Sequence, residues 1–460
     1  MKKTNANFQP IESNVYGVAW PPLAVGMTAS LATLMHQLEM SQWLPAEEIR
    51  EKQLHQIAHV AMHAERYSPY FKKRLQAVQL HAQQLASFEG ISHLPVMTRR
   101  DLQAAGKTLF CRQIPEDHLP MSEVKTSGSS GEPVMVKRTT VNQLFWLASA
   151  LRDHIWHKRD FSGSLAVIRF NYSSQAWHGV QQEDWGVPAS LFFKTGAMHK
   201  MEIDTDIKVQ AEWLAKINPD YLLTYPNTLL VLIDYFKKNN ITLDKLRGIR
   251  TISETLHDDL RELARDVLQV EITDMYSSQE LGVIAIQCPD SGLYHTMAES
   301  HFVEVLDEHG ALCKEGEVGR IVVTDLHNFA TPLIRYEIGD YAEVGSVCPC
   351  GRGLPTLKRI VGRSRNLVRH PDGKRHWPVV GFAQYQKIAP IRQFQMVQRT
   401  LDTIEVRLVS DTPLSANQEL KLTELICTSL HGNFSLNFVY FPKEIPRTKG
   451  GKFEEFICEV

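Results

Sequence analysis

The sequence lacks the features of a membrane protein or of a disulfide-stabilised secreted fold. Its nearest approach to an apolar run, residues 23–35, is interrupted by glycine, serine and threonine and is too short to span a bilayer. The seven cysteines are odd in number and mostly scattered, which argues against a disulfide framework. No apolar segment follows the two lysines at the N-terminus, so no secretory signal is predicted. We therefore expect a soluble cytoplasmic protein.

The chain also lacks an excess of either charge. Its 50 basic and 52 acidic residues leave a formal net charge of −2, which gives no reason to expect a nucleic-acid or membrane-surface partner. With 460 residues, of which 43% are hydrophobic, the chain is long enough for at least two domains, one of them large. We find neither an internal repeat nor a low-complexity tract.

Short β-branched runs alternate with segments of helical periodicity. Residues 164–170, 270–276 and 319–326 are typical of buried strands. Residues 46–83, 208–216 and 229–239 have helical character, with a break at Ser68 and Pro69. This alternation predicts a layered α/β fold. Polar, turn-rich sequence follows Gly362 and precedes a strand, helix and strand pattern, so we predict a large domain at 1–362 and a small α+β domain at 363–460.

One stretch is crowded with hydroxyl groups and glycine. It consists of Thr126, Ser127, Gly128, Ser129, Ser130 and Gly131. Such a stretch can be a flexible surface loop, because Gly and Ser favour turns. It can equally be a phosphate cradle, because glycine lets the backbone approach an anion while N–H and hydroxyl groups donate to its oxygens. The stretch alone leaves both interpretations open. For Lys137 and Arg138, which follow it, we expect a solvated surface position.

Three cysteines and one histidine have the spacing of a metal site. Cys288 and His295 are joined by a Cys-x₆-His spacing, and Cys348 and Cys350 form a Cys-Pro-Cys run. Three thiolates and one imidazole are the ligand set of a closed, structural zinc site. The alternative is four unligated residues near a surface.

Further motifs lie along the chain in a fixed order. They are YSSQELG at 276–282, RYEIGD at 335–340, CPCGR at 348–352, VGRSRN at 361–366 and PRTKGGK at 446–452. With the Ser/Thr/Gly-rich stretch before them, these motifs resemble those of the phenylacetate–CoA ligase family within the adenylate-forming superfamily. The resemblance implies a large multi-sheet N-terminal domain with a small mobile C-terminal lid. It also implies ATP-dependent activation of a carboxylic acid as acyl-AMP, followed by transfer to the thiol of coenzyme A.

The resemblance implies a nucleotide site built from several of these motifs. Residues 126–131 would hold the β- and γ-phosphates of ATP through N–H and hydroxyl donors. Tyr276 would offer a flat face to adenine, and Asp340 would accept hydrogen bonds from the ribose hydroxyls. Further nucleotide contacts are expected from Ser253, Glu254, Ser277 and Arg363.

Two residues are implied to be catalytic. Glu280 would bind Mg²⁺, a hard cation that prefers carboxylate and phosphate oxygens. Lys452 would bring a cation to the α-phosphate when the lid closes and would leave before the thiol enters. In isolation, either residue could be a solvated surface charge.

An acid pocket is implied around Trp177, His178 and Gly179. These residues stand where the family has an aromatic, Gly-rich stretch beside the acyl site, and they favour an aryl or other bulky apolar acid. His178 could instead be a structural residue. Some relatives in the family also bind a structural zinc in the region of CPCGR, which supports the zinc hypothesis.

The chain departs from the family pattern at the hinge. Arg365 and Asn366 stand where acidic residues are usual, so the pivot residue is not defined. The acceptor is also open, because a carrier-protein thiol or an amine could replace coenzyme A. The sequence does not specify the acid or the oligomeric state, for which a homodimer is one alternative.

Two other classes of protein fit less well. A P-loop NTPase or kinase needs Gly-Lys-Ser/Thr at the end of its loop, whereas Gly131 is followed by Glu132. A non-catalytic nucleotide-binding module would be expected to lack Glu280 or Lys452, and both are present.

Overall fold

The structure is a computed structural model, and it describes residues 13–18, 20–125, 134–170, 179–363, 367–376, 382–410, 412–447 and 453–460. Several predicted residues lie outside these ranges: the stretch 126–131, Trp177, His178, Arg365, Asn366 and Lys452.

Helices account for much of the N-terminal third and recur between the later strands. In chain order they are α1 (Gly26–Ser41), α2 (Ala46–Tyr67), α3 (Pro69–Ala77), α4 (Phe88–His93), α5 (Arg99–Ala105), α6 (Thr140–Trp156), α7 (Ile207–Ile217), α8 (Pro226–Asn239), α9 (Asp258–Leu268), α10 (Phe382–Ile388) and α11 (Ala416–Ser429). Short 3₁₀ helices lie at Ala82–Ala86, Gly106–Leu109, Glu116–His118 and Ala189–Leu191.

The strands follow the same order along the chain. They are β1 (Met121–Lys125), β2 (Met135–Thr139), β3 (Leu165–Arg169), β4 (Val180–Gln182), β5 (Met198–Glu202), β6 (Tyr221–Thr224), β7 (Gly248–Ile252), β8 (Ile272–Ser278), β9 (Gly282–Gln287), β10 (Tyr294–Thr296), β11 (His301–Leu306), β12 (Val318–Asp325), β13 (Tyr336–Val344), β14 (Thr356–Arg363), β15 (Val368–Arg369), β16 (Arg375–His376), β17 (Ile391–Gln398), β18 (Thr403–Ser410), β19 (Ser435–Tyr440) and β20 (Phe456–Cys458).

The chain divides into two compact units. The first is drawn from Met1–Leu165, Gln181–His199 and Asp274–Arg359. The second is drawn from Ala166–Val180, Lys200–Thr273 and Ile360–Val460. The predicted division into domains 1–362 and 363–460 stays a prediction.

The first unit combines N-terminal helices with a large, mainly antiparallel sheet. Its strands are ordered β11-β12-β13-β14-β10-β9-β8, and α2 and α3 pack on Phe302, Leu326 and Ile334. The break between these two helices has a local cause. Ser68 caps α3 by accepting a hydrogen bond from the N–H of Phe71, and proline at the next position suits the first turn of a helix but not a helix interior.

Two large hydrophobic cores lie in the described part of the second unit. One is formed by β3, β6, β7 and the apolar faces of α7, α8 and α9, with β6 and β7 parallel. The other lies between α10, α11 and a four-stranded sheet of order β19-β18-β17-β20, in which only β17 and β18 are antiparallel. Helix α11 begins with a capping box between Ser415 and Gln418.

These elements confirm the predicted α/β class with a large multi-strand sheet. The strands predicted at 164–170, 270–276 and 319–326 and the helices predicted at 208–216 and 229–239 are all present. The turn-rich sequence after Gly362 forms the hairpin β15–β16. None of the helices in the described part of the chain has the length and apolar character needed to cross a membrane.

Candidate functional site

Two predicted nucleotide-binding residues meet in the first unit. The Tyr276 O–H on β8 donates a hydrogen bond to Asp340 Oδ2 on β13, with an O···O distance of 2.8 Å. Both strands are irregular there: the β8–β9 register shifts between Tyr276 and Ser277, and β13 shifts opposite β12 beside Gly339, whose φ is +89°. Such irregularities bend a strand and re-aim its side chains. Tyr276 and Asp340, which are far apart in the sequence, thus bring a hydroxyl and a carboxylate into contact.

Glu280 lies in the turn that joins β8 to β9, close along the chain to Tyr276. The turn is fixed by a hydrogen bond from the Leu281 N–H to Ser278 Oγ, at 3.1 Å. The Glu280 side chain is buried, and its Oε1 lies 3.4 Å from Arg99 Nη1. Among the described residues, Oε2 has no hydrogen-bond partner. A buried carboxylate with this free capacity is able to accept a hard cation.

Arg138 is buried beside the same turn, which corrects the expectation of a solvated position. Its guanidinium donates to the backbone carbonyl of Gln279 and lies over the Trp146 ring, 4.1 Å from the centroid. The cause is strand alternation, because Arg138 shares the inward face of β2 with Val136. Burial lowers the pKa of Arg138 to about 10, opposed by the charges of Asp325 and Glu280. The structure therefore adds a buried cation that charge patterning along the sequence missed.

Glu254 is enclosed by protein groups of the second unit. Its Oε2 accepts hydrogen bonds from the backbone N–H and the side-chain amide of Asn227, both at 3.1 Å. Its Oε1 accepts from the N–H of Phe453 at 2.7 Å and lies 3.5 Å from Arg447 Nη1. Burial raises the pKa of the Glu254 carboxyl, and Arg447 and the N–H donors oppose that rise. The preceding residue, Ser253, has a left-handed φ of +72°.

Gly179 is the one residue of the predicted acid pocket within the described ranges. Its φ is +81°, and a Cβ placed there would lie 2.6 Å from Trp213 Nε1 on α7. Glycine is therefore required both by the backbone and by the packed indole. Trp213 was not predicted as a site residue, and nothing in the helical pattern of α7 distinguishes it from a core residue.

The four predicted metal ligands come together in the first unit. Their ligand atoms all lie within 4.8 Å of one another. Cys288 Sγ is 3.7 Å from Cys348 Sγ, and Cys350 Sγ is 3.3 Å from His295 Nε2. Two sulfurs on a tetrahedral zinc ion, each about 2.3 Å from it, would be about 3.8 Å apart. The donor set and its spacing therefore fit a closed zinc site.

The neighbours of His295 prepare its ring for a metal. Its Nδ1 lies 3.1 Å from the carbonyl oxygen of Leu354, which accepts a hydrogen bond, so Nδ1 carries the proton and Nε2 faces Cys350. Burial lowers the pKa of His295 to about 4, which keeps the imidazole neutral at neutral pH. All seven cysteines of the chain lie in described ranges, and all are free thiols.

Arg352 holds the cysteine loop against N-terminal helices. Its guanidinium lies 4.9 Å from the ring centroid of Trp43 and 4.4 Å from that of Trp156. Its Nε donates to Gln42 Oε1 at 2.9 Å. The CPCGR run therefore supplies two thiols and an anchor for them.

The remaining predicted residues are divided between the two units. Ser277 is half-buried at the end of β8, in the first unit. Arg363 is half-buried and ends β14, in the second unit. The structure thus assembles the Tyr276–Asp340 pair and the metal ligands, and it places the predicted nucleotide contacts Ser253, Glu254 and Arg363 in the second unit.

Comparisons with known proteins extend along most of the chain, although no family model matches it. A phenylacetate–coenzyme A ligase of Thermus thermophilus is 22% identical over 458 residues, covering 92% of this chain and 99% of the relative. A phenylacetate–coenzyme A ligase of Aromatoleum evansii is 22% identical over 338 residues, covering 72% of this chain and 74% of the relative. These matches confirm the resemblance indicated by the motifs.

The fold is similar to that of a solved CoA ligase. A 2-hydroxyisobutyryl-CoA ligase in the postadenylation state aligns with a TM-score of 0.73 and 17% identity, covering 91% of each chain. At this identity the likeness shows the fold alone.

Proposed function

We propose that this chain is an ATP-dependent acid–thiol ligase of the phenylacetate–CoA ligase type. A carboxylate oxygen of the acid attacks the α-phosphorus of ATP, and the bond to pyrophosphate breaks. The thiol of coenzyme A then attacks the acyl carbonyl, and AMP leaves. The observation that carries the proposal is the similarity to phenylacetate–CoA ligases over nearly the whole chain, together with the ordered motifs.

The nucleotide site would be centred on the Tyr276–Asp340 pair. The hydrogen bond from the Tyr276 hydroxyl orients the Asp340 carboxylate, which would accept hydrogen bonds from the ribose hydroxyls. The Tyr276 ring would pack against adenine, with Ser277 beside it. Ser253 and Arg363 are proposed as further nucleotide contacts, and residues 126–131 would bind the β- and γ-phosphates. Because phosphoryl and acyl transfer need little covalent help, these residues act mainly by positioning their substrates.

Glu280 would hold Mg²⁺, which neutralises charge on the triphosphate when bound. The buried position of Glu280 fits this role, as does the lack of a hydrogen-bond partner for Oε2 among the described residues. Arg99 would balance the charge of Glu280 in the metal-free enzyme. Arg138, whose guanidinium is held on the Gln279 carbonyl, adds a fixed positive charge close to the turn.

The mobile lid would carry Lys452 to the α-phosphate for the first half-reaction and remove it for the second.

The acid is proposed to be aryl or otherwise bulky and apolar, on the strength of Trp177 and His178 beside Gly179. A zinc ion is proposed at Cys288, His295, Cys348 and Cys350. With four protein ligands and no open position, it would stabilise the fold and take no part in the chemistry.

The experiment that tests the function measures the products of ATP turnover across a panel of aryl and fatty acids. We expect AMP and pyrophosphate to form only with a suitable acid, and an acyl-CoA thioester to accumulate when coenzyme A is present. The primary amide of the active acid is the control, because it lacks the attacking carboxylate. ADP and phosphate as products would refute adenylation. Acyl-AMP that never passes to coenzyme A would instead indicate a carrier-protein or amine acceptor.

We expect Glu280→Gln to slow acyl-adenylate formation by roughly ten- to a hundred-fold and to raise the Mg²⁺ concentration needed for half-maximal rate. The amide has nearly the same shape but is a poorer ligand for a hard cation. Adenylation rates measured over a Mg²⁺ series provide the check. Glu337→Gln is a matched control, because Glu337 is also in the first unit and also pairs with an arginine, at 3.1 Å from Arg320 Nη1. An unchanged Mg²⁺ dependence would show that another carboxylate binds the metal.

A further inference from the structure

We propose that Glu254 is a positioning residue that docks the C-terminal segment carrying Lys452, in place of the nucleotide contact predicted for it. The proposal rests on the proposed function, since it concerns the lysine of the first half-reaction. It starts from the observation that the Glu254 carboxylate accepts hydrogen bonds from Asn227 and Phe453 and lies beside Arg447.

One carboxylate oxygen holds both sides of the segment that contains Lys452. Arg447 precedes this segment, and its Nη1 lies 3.5 Å from Glu254 Oε1. Phe453 is bonded directly to Lys452, and its N–H donates to the same oxygen at 2.7 Å. Arg447 and Phe453, which flank residues 448–452 in the sequence, therefore share a single acceptor. A hydrogen bond to a charged acceptor is stronger than one between neutral groups, so this contact restrains the backbone next to the lysine.

The other carboxylate oxygen is held by the first turn of α8. Asn227 donates to it from its backbone N–H and from its side-chain amide. A helix N-terminus favours a negative charge because its first N–H groups lack partners within the helix. The next residue, Thr228, accepts a hydrogen bond from Arg447 Nη2 at 3.0 Å. Helix α8 therefore fixes Glu254 and contacts the arginine that Glu254 binds.

Further contacts of the second unit anchor the residues flanking Lys452. Phe453 is buried with Ile445 and Val409. His257 Nε2 lies 3.2 Å from Glu455 Oε2. Burial would lower the pKa of His257, but Glu455 and its other acidic neighbours outweigh this and raise it to about 9, so the pair is charged at neutral pH. The docking of the segment thus combines a central carboxylate, an apolar anchor and a second ion pair.

The test compares the two half-reactions in Glu254→Gln. We expect acyl-adenylate formation to fall by roughly ten- to a hundred-fold, the effect of losing hydrogen bonds to a charged group. The KM for ATP should not change, and supplied acyl-adenylate should be converted to thioester at the wild-type rate. Arg447→Gln should give the same pattern, and the double variant should be no slower than either single variant, because both changes break one contact. Glu405→Gln, which breaks the ion pairs of Glu405 on β18 with Arg399 and Arg407, should leave both half-reactions unchanged.

Other outcomes would overturn the docking role and are distinct from a failure of the proposed function. A raised KM for ATP with an unchanged limiting rate would assign Glu254 to the nucleotide instead. An equal fall in both half-reactions, with a lower unfolding temperature, would show that Glu254 only supports the fold. Independent, additive effects of Glu254→Gln and Arg447→Gln would show that the pair does not act as one contact. If wild-type protein formed no acyl-adenylate with any acid, the proposed function itself would fail.

Discussion

Lys452→Ala should slow formation of the acyl-adenylate by roughly a hundred- to a thousand-fold. Removing one preorganised charge usually costs about 3–4 kcal/mol of transition-state stabilisation, which corresponds to this loss of rate. Adenylation builds negative charge at the α-phosphate, and Lys452 is the cation that the motif PRTKGGK places near the C-terminus. Gly450 and Gly451 would let the backbone approach the phosphates without a side-chain clash.

The second half-reaction separates this role from a general loss of activity. If the lid removes Lys452 before the thiol enters, the variant should convert supplied acyl-adenylate to thioester as fast as wild type. Single-turnover measurements of each half-reaction provide the check. Lys443→Ala is a matched control, because Lys443 is an exposed lysine of the same C-terminal region. Equal losses in both half-reactions would exclude domain alternation, and no loss in either would make Lys452 a surface lysine.

Protein purified without added zinc should contain one zinc ion per chain, and Cys350→Ser should contain none. The thiolate is the ligand, and an alcohol in its place leaves the tetrahedral set incomplete. Because a structural metal contributes to folding free energy directly, the midpoint of thermal unfolding should also fall by several degrees or more. Elemental analysis and thermal unfolding of the same samples provide the check.

A free cysteine elsewhere in the first unit supplies the control for this experiment. Cys313 is partly exposed and lies outside the metal-ligand cluster, so Cys313→Ser should retain the zinc. A chelator should lower the stability of wild type to that of Cys350→Ser and leave that variant unchanged. Wild-type protein free of metal would refute the site, even though the four ligands lie together.

Local signals in the sequence predicted local structure well. Ser68 followed by proline placed the break between α2 and α3. The metal cluster could also be predicted, because Cys-x₆-His and Cys-x-Cys are spacings that ligands require whatever the surrounding fold. The family resemblance assigned Tyr276 and Asp340 to one nucleotide site, but the hydrogen bond between them was not predicted.

The contacts that escaped prediction are those that depend on tertiary structure. Glu254 and Phe453 are 199 residues apart, and no pattern at either position indicates the other. Arg138 was misjudged because its charge was given more weight than its place on the inward face of β2. The cost of burying this charge is offset by the hydrogen bond to the Gln279 carbonyl and by the contact with the Trp146 ring, which only the tertiary structure brings together. The sequence therefore indicated the cluster of metal ligands better than the buried contacts made by Glu254 and Arg138.

The arrangement of the metal ligands has a consequence for folding kinetics. Cys288 follows β9, His295 lies on β10, and Cys348 and Cys350 precede β14, so the ligands meet only after these strands have aligned. If a zinc ion binds only after this alignment, its contacts are absent from the folding transition state. Interactions absent from the transition state slow unfolding and hardly change the folding rate. The metal would then lower the unfolding rate of the sheet in the first unit and so prolong the lifetime of the folded enzyme.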